Sequence, residues 1–159
     1  RALDVTGVLP ERVLPDEYQE YLVGVGPDDR IIHVRQGVDL EFYSTDLATG
    51  HVESLATLVS GGGAYSPSAR EGLLSGDETR LVLTVNRGAV TTVWSIPAQL
   101  PAASPPVALG DSSQLGNGLS VLAVDASRAY VSAYEDAVFA LELDGSGALR
   151  LTEASQPGV

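Results

Sequence analysis

The sequence predicts an all-β chain of three consecutive four-stranded antiparallel sheets, and three observations point there. Apolar runs are short and are separated by turns rich in Gly, Asp, Asn and Ser, with no helical periodicity. Runs such as "RLVLTV" and "SVLAV" are apolar at successive positions, as in sheets covered on both sides. The pattern also recurs: "PDDRIIHV" at 27–34, "GDETRLVLTV" at 76–85 and "DASRAYVSA" at 125–133 each write an acidic turn, an arginine and an apolar run.

Superimposing Arg30, Arg80 and Arg128, which lie 50 and then 48 residues apart, aligns four runs per unit. Upstream of each arginine is a short first run: Val23 in "YLVGV", Leu73 in "LLS" and Val121 in "VLAV". The arginine leads directly into the second run, "IIHV", "LVLTV" or "AYVSA". The tips "RQGVD", "NRGAV" and "YEDA" then turn the chain into a third run, "LEFYST", "TTVWSI" or "VFALEL". Sixteen residues after the arginines stand Asp46, Ile96 and Asp144, near the end of that run. A turn and a looser fourth run follow: "HVESLATL", "PVAL" and "ALRLTEA". The second unit is the least regular, because the prolines of "IPAQLPAASPP" (96–106) cannot donate to a ladder.

A four-stranded repeat of about 50 residues is the signature of a β-propeller blade. "FYSTDLATGHVESLATL" (42–58) resembles the third strand, turn and fourth strand of TolB-like and WD40-like blades, and "AYVSAYEDAVFALELDGSG" (129–147) is similar to a quinoprotein-type blade. The resemblance implies a partial or split propeller: blade 1 over 20–60, blade 2 over 61–109 and blade 3 over 110–159, preceded by an arm or ring-closing outer strand over 1–19. The Gly-His and Trp-Asp pair of WD40 blades is missing, as is the tryptophan-docking pattern of quinoprotein dehydrogenases, so no cofactor is carried over.

Propellers close with four to eight blades, which protects sheet edges and covers the end faces. Three blades are therefore expected to leave two broad apolar faces. A second copy, another chain with the remaining blades, or a longer polypeptide of which this is one piece would each cover them. The chain opens "RALDV" with no initiator Met, which suggests a processed product or a piece of something longer, and an exported, periplasmic or extracellular setting.

The net charge of −12, with all nine basic residues arginine, works against binding the phosphate backbone of nucleic acid, and no apolar stretch is long enough for membrane insertion. With no cysteine there are no disulfides, thiolates or zinc-thiolate sites. An arginine-only, lysine-free composition fits a GC-rich bacterial source.

Loops between the second and third strands, and crossings between sheets, share one end of a meander. That end carries Arg35, Gln36, Asn86, Arg87, Tyr134 and Glu135, with Tyr65 and Arg70 in the crossing 59–72. Arg35, Arg87 and Arg70 are forked donors suited to a carboxylate or an acidic partner, the alternative being solvated turn residues. No catalytic set is evident. His33 falls inside a strand at the position of Leu83 and Val131, which suits a satisfied structural imidazole, and His51 starts an outer strand. The triple glycine 61–63 lacks the lysine of a phosphate loop, and the acidic turns lack a calcium-loop pattern. Glu20, Glu71 and Asp125 lie only at the edges of the first strands, which speaks against a glycosidase pair, and Trp94 fits blade packing. The expectation is a non-catalytic binding or scaffold module, with no cofactor or metal, that completes its ring with another chain or a second copy and binds a protein or peptide through its rim loops. The alternative is the propeller portion of an enzyme, of the prolyl-oligopeptidase or dehydrogenase kind, with catalytic groups elsewhere.

Overall fold

The computed structural model describes residues 19–59, 67–101, 104–134 and 136–152. The first sheet is a meander of β1 (Gln19–Val25), β2 (Arg30–Gln36), β3 (Leu40–Asp46) and β4 (Val52–Leu58), paired in that order and antiparallel. In the second sheet, β5 (Ser68–Ala69) and β6 (Leu73–Leu74) both pair with β7 (Arg80–Arg87), followed by β8 (Val90–Pro97) and β9 (Val107–Asp111). A single helical turn, α1 (Ser112–Leu115), leads to the third meander of β10 (Ser120–Val124), β11 (Arg128–Ser132), β12 (Val138–Glu142) and β13 (Ala148–Arg150). The three four-run units read from the sequence are thus three antiparallel sheets.

The turns form where the sequence supplies unusual dihedrals or side-chain acceptors. Between β1 and β2, Asp28 and Asp29 both take φ of 56° and the Arg30 N–H donates to the Pro27 carbonyl at 3.2 Å, a primed turn matched to strand twist. Elsewhere an aspartate carboxylate takes main-chain donors: Asp125 accepts from the N–H groups of Ser127 and Arg128, both at 2.7 Å, and Asp46 from those of Ala48 and Thr49.

The sheets stack on two cores. Val23, Ile32, Val34 and Phe42 of the first sheet meet Leu81, Leu83, Val85 and Ile96 of the second. On the other side of the second sheet, Val82 and Val93 meet Ala129, Val131, Phe139 and Leu141 of the third. Side chains alternate across a strand, so β7 sends Leu81, Leu83 and Val85 one way and Val82 the other, and its whole apolar run is buried. Counted from the repeated arginine, each sheet turns its first, third and fifth residues towards the preceding position and its second and fourth towards the following one.

Each leading strand also carries one residue more than its partner. The register shifts between Leu22 and Gly24 in β1 and between Val121 and Ala123 in β10. In the second sheet the run between Ala69 and Leu73 faces the shorter run between Val82 and Val85. Such bulges bend and twist a strand. At the first, the Val23 carbonyl accepts the Gly72 N–H of the neighbouring sheet at 2.7 Å. Gly72 is required there, because an added Cβ would lie 2.6 Å from the Val82 carbonyl oxygen.

Two expectations change. Equal spacing set Asp46, Ile96 and Asp144 as equivalents, but the residues paired across from the arginines are Asp46, Pro97 and Glu142, because the intervening hairpins differ in length. The two outward faces, expected to be broadly apolar, carry paired polar groups: Glu20, His33 and Arg35 on the first sheet, Arg128, Tyr130 and Glu142 on the third.

The irregular chain after β8 is tied down by Arg80, only 8% exposed. Its Nε donates to Ser95 Oγ at 2.8 Å, and Nη2 to the carbonyls of Ser95 and Pro105 at 2.7 and 3.0 Å. Nη1 reaches the Ser104 carbonyl and hydroxyl at 3.0 and 2.6 Å. Burial pulls this guanidinium below its ordinary value, with Asp77 opposing. Lysine cannot reproduce the fork. Arg80→Lys is expected to lower stability by about 2–4 kcal/mol in urea titrations, because several buried acceptors lose their donor.

The turn aspartates set the acid response. Asp46 is held below the usual carboxylate range chiefly by the Thr49 N–H, Asp77 by the Ser75 hydroxyl, Asp125 by the Ser127 N–H and Asp144 by Ser146. Depressed folded values mean that their stabilisation is complete above the unfolded pKa of about 3.9 and is lost as pH falls below it through the folded values. The urea midpoint is therefore expected to hold between neutrality and about pH 5 and to fall below about pH 4. Asp125→Ala should flatten that fall.

Candidate functional site

The end of the stack that carries the tips between second and third strands gives each predicted residue its own setting. Arg35 extends from β2 to Glu41 Oε2 at 3.4 Å, donates to the Tyr43 hydroxyl at 3.3 Å and lies 5.0 Å over that ring. Arg87, at the end of β7, donates from Nη2 to the Val59 carbonyl at 2.9 Å, which ties the tip of the second sheet to the chain leaving the first. Arg70 sits exposed between β5 and β6, where its N–H donates to the Thr84 carbonyl. Among the described residues the three guanidiniums share no partner. Gln36 is half-buried at the end of β2 opposite Gln19, and Asn86 Oδ1 accepts the Thr91 hydroxyl at 2.8 Å.

Among the described residues Tyr134 is the most open aromatic of this end, 71% exposed. Its N–H donates to the Asn117 carbonyl at 2.8 Å, and its ring lies where a side chain on Gly118 would otherwise stand. Gly118, at φ +70°, thus permits both the turn and the seat of the ring. The crossing from the second sheet comes alongside, with Ser112 Oγ accepting the Thr91 N–H at 3.1 Å. The result, among the described residues, is a rim of arginines, hydroxyls and amides with Tyr134 as its exposed aromatic. Tyr65 and Glu135, and the triple glycine 61–63, lie outside the described residues.

Sequence reasoning missed a second constellation. His33 Nδ1 lies 2.7 Å from Glu20 Oε1 and Nε2 lies 2.8 Å from Thr45 Oγ1, with a Tyr43 ring centroid 5.7 Å away. Glu20 Oε1 is buried, and the His33 imidazole is the group that stands against it. Pairing Glu20 with Arg35 and Leu22 with His33 across β1 and β2, and Ile31 with Thr45 across β2 and β3, brings these groups together. No spacing signal shows such a cross-strand set before the register is known.

Carboxylate, imidazole and hydroxyl in line are the parts of an activated nucleophile. Thr45, however, is 5% exposed, with its hydroxyl taken up by His33, so a substrate carbonyl has no approach to its oxygen. The set instead satisfies three polar groups within the plane of the sheet, in keeping with the structural imidazole expected at position 33. Among the described residues no group of three or more His, Cys, Asp or Glu is placed to hold a metal ion, and no helix is long and apolar enough to cross a membrane. Glu71 is exposed, and Asp125 is engaged by its own turn, so the edge acids form no facing pair.

Glu20→Ala, which takes the acceptor from His33, is expected to lower stability by about 1–3 kcal/mol in urea titrations, the usual cost of orphaning a buried polar group. Tyr134→Ala, at an exposed position, should stay within about 0.5 kcal/mol of the parent chain in the same measurement.

No protein-family model matches the chain, and no curated protein matches it in sequence.

Proposed function

We propose that the chain is a non-catalytic, propeller-type binding and scaffold module that presents its tip-and-crossing end to a protein or peptide and joins further sheets at its two outward faces. The observation that carries this reading is the constant sense of the stacking. Each sheet uses the same register positions towards its predecessor and the same towards its successor, so loops of one kind gather at one end and the series has no built-in stop. The rim supports peptide recognition better than chemistry. It offers an exposed tyrosine with amides and hydroxyls beside it, while in the line of carboxylate, imidazole and hydroxyl on the first sheet the Thr45 oxygen is buried beneath His33.

Selection of displayed peptides against the purified chain tests it. Selected sequences should lose at least tenfold in affinity for a chain carrying Tyr134→Ala and Arg87→Ala together, with the urea midpoint nearly unchanged. Peptides that bind the double variant as well as the parent, or that are competed only by substitutions at the acidic turns Asp77 and Asp125, would overturn the reading.

A further inference from the structure

We propose that the outward face of the third sheet receives the first sheet of a second copy of this chain, so that two chains close into a ring of six sheets through two identical junctions. This rests on the module reading above and names the partner that covers its ends.

The stack has a direction. In the second and third sheets the predecessor-facing positions hold Leu81, Leu83 and Val85, and Ala129, Val131 and Ala133, all buried against the sheet before. The next sheet on the third must present the same positions, and within this chain the first sheet turns them outward as Ile31, His33 and Arg35. A copy's first sheet therefore continues the two junctions already formed, and a repeated rotation that closes makes a ring instead of a filament.

Both faces are prepared for burial. On the third sheet the Arg128 guanidinium is held by Glu142 at 2.7 Å and the Tyr130 hydroxyl by Asp125 at 3.0 Å, so a covering sheet would orphan neither. Around them stand Leu122 and Leu149, 54% and 61% exposed. Leu122 lies in the β10 bulge, where the first sheet has Val23, fully buried in the junction with the second. On the first sheet, Glu20 with His33 and Thr45, and Arg35 with Glu41 and Tyr43, are likewise joined laterally, beside Leu22 and Val25, 57% and 61% exposed. Polar groups held laterally, with apolar side chains beside them, suit a face on which another sheet is laid, and the buried Arg35 Nε, which makes no hydrogen bond, is the one donor of the named pairs left over.

Light scattering on the purified chain is expected to give about twice its 16.5 kDa. Leu149→Arg on the third sheet and Leu22→Arg on the first should each return the mass to that of one chain, with far-UV dichroism unchanged because both positions are exposed. Mixed in equal amounts, these two variants should recover a two-chain species, since one junction then joins two unaltered faces. Leu122→Arg and Val25→Arg repeat the test should either variant unfold. A parent chain that stays single at 100 μM overturns the proposal, as does a paired chain that either arginine leaves intact. Dissociation by Leu149→Arg alone means that the third sheet pairs with itself, which also overturns it. A single chain that still binds rim-selected peptides defeats the docking and leaves the module reading standing; a paired chain without rim binding does the reverse.

Discussion

β7 has no solvent side, and the rest of the molecule is arranged around that constraint. Leu81, Leu83 and Val85 are taken up by the first sheet and Val82 by the third, each 0–1% exposed. Full burial of a side chain of this size stabilises by about 1.5–3 kcal/mol, so one strand holds two junctions together. The middle sheet thus cannot form its native surroundings without both neighbours. Stability in such a stack belongs to the interfaces more than to any one sheet.

What was legible in the residues follows from the same constraint. A strand buried on two faces must be apolar at successive positions, and "RLVLTV" announces it without an alignment. Turn aspartates and glycines marked where the chain reverses, and the repeated arginine marked the start of each second strand. Counting residues failed further along, since hairpins one or two residues different in length move the partner from Ile96 to Pro97 and from Asp144 to Glu142. Spacing in sequence carries over only if strands keep their length, and the second strands here run seven, eight and five residues.

The site was harder to read, because its contacts run across strands. Arg35 and Arg87 look alike in their hairpins, yet one reaches a carboxylate and a tyrosine and the other a main-chain carbonyl. The partnership of Glu20, His33 and Thr45 needs three strands in register, and a one-residue slip would turn every member to the opposite face. The outward faces were misjudged for a related reason. Counting apolar residues overlooks polar ones that satisfy each other sideways, and such a face can be charged and still suited to cover.

Arg80 has a consequence for how this protein can diverge. Its guanidinium holds β8 at Ser95 and grips the segment after it by the carbonyls of Ser104 and Pro105, which any amino acid brings, and by the Ser104 hydroxyl. Apart from the Ser104 hydroxyl, the stretch is thus recognised by its path and not by its letters. Residue identities there are free to drift while the anchor stays put, so relatives of this chain should differ most where one buried cation does the holding.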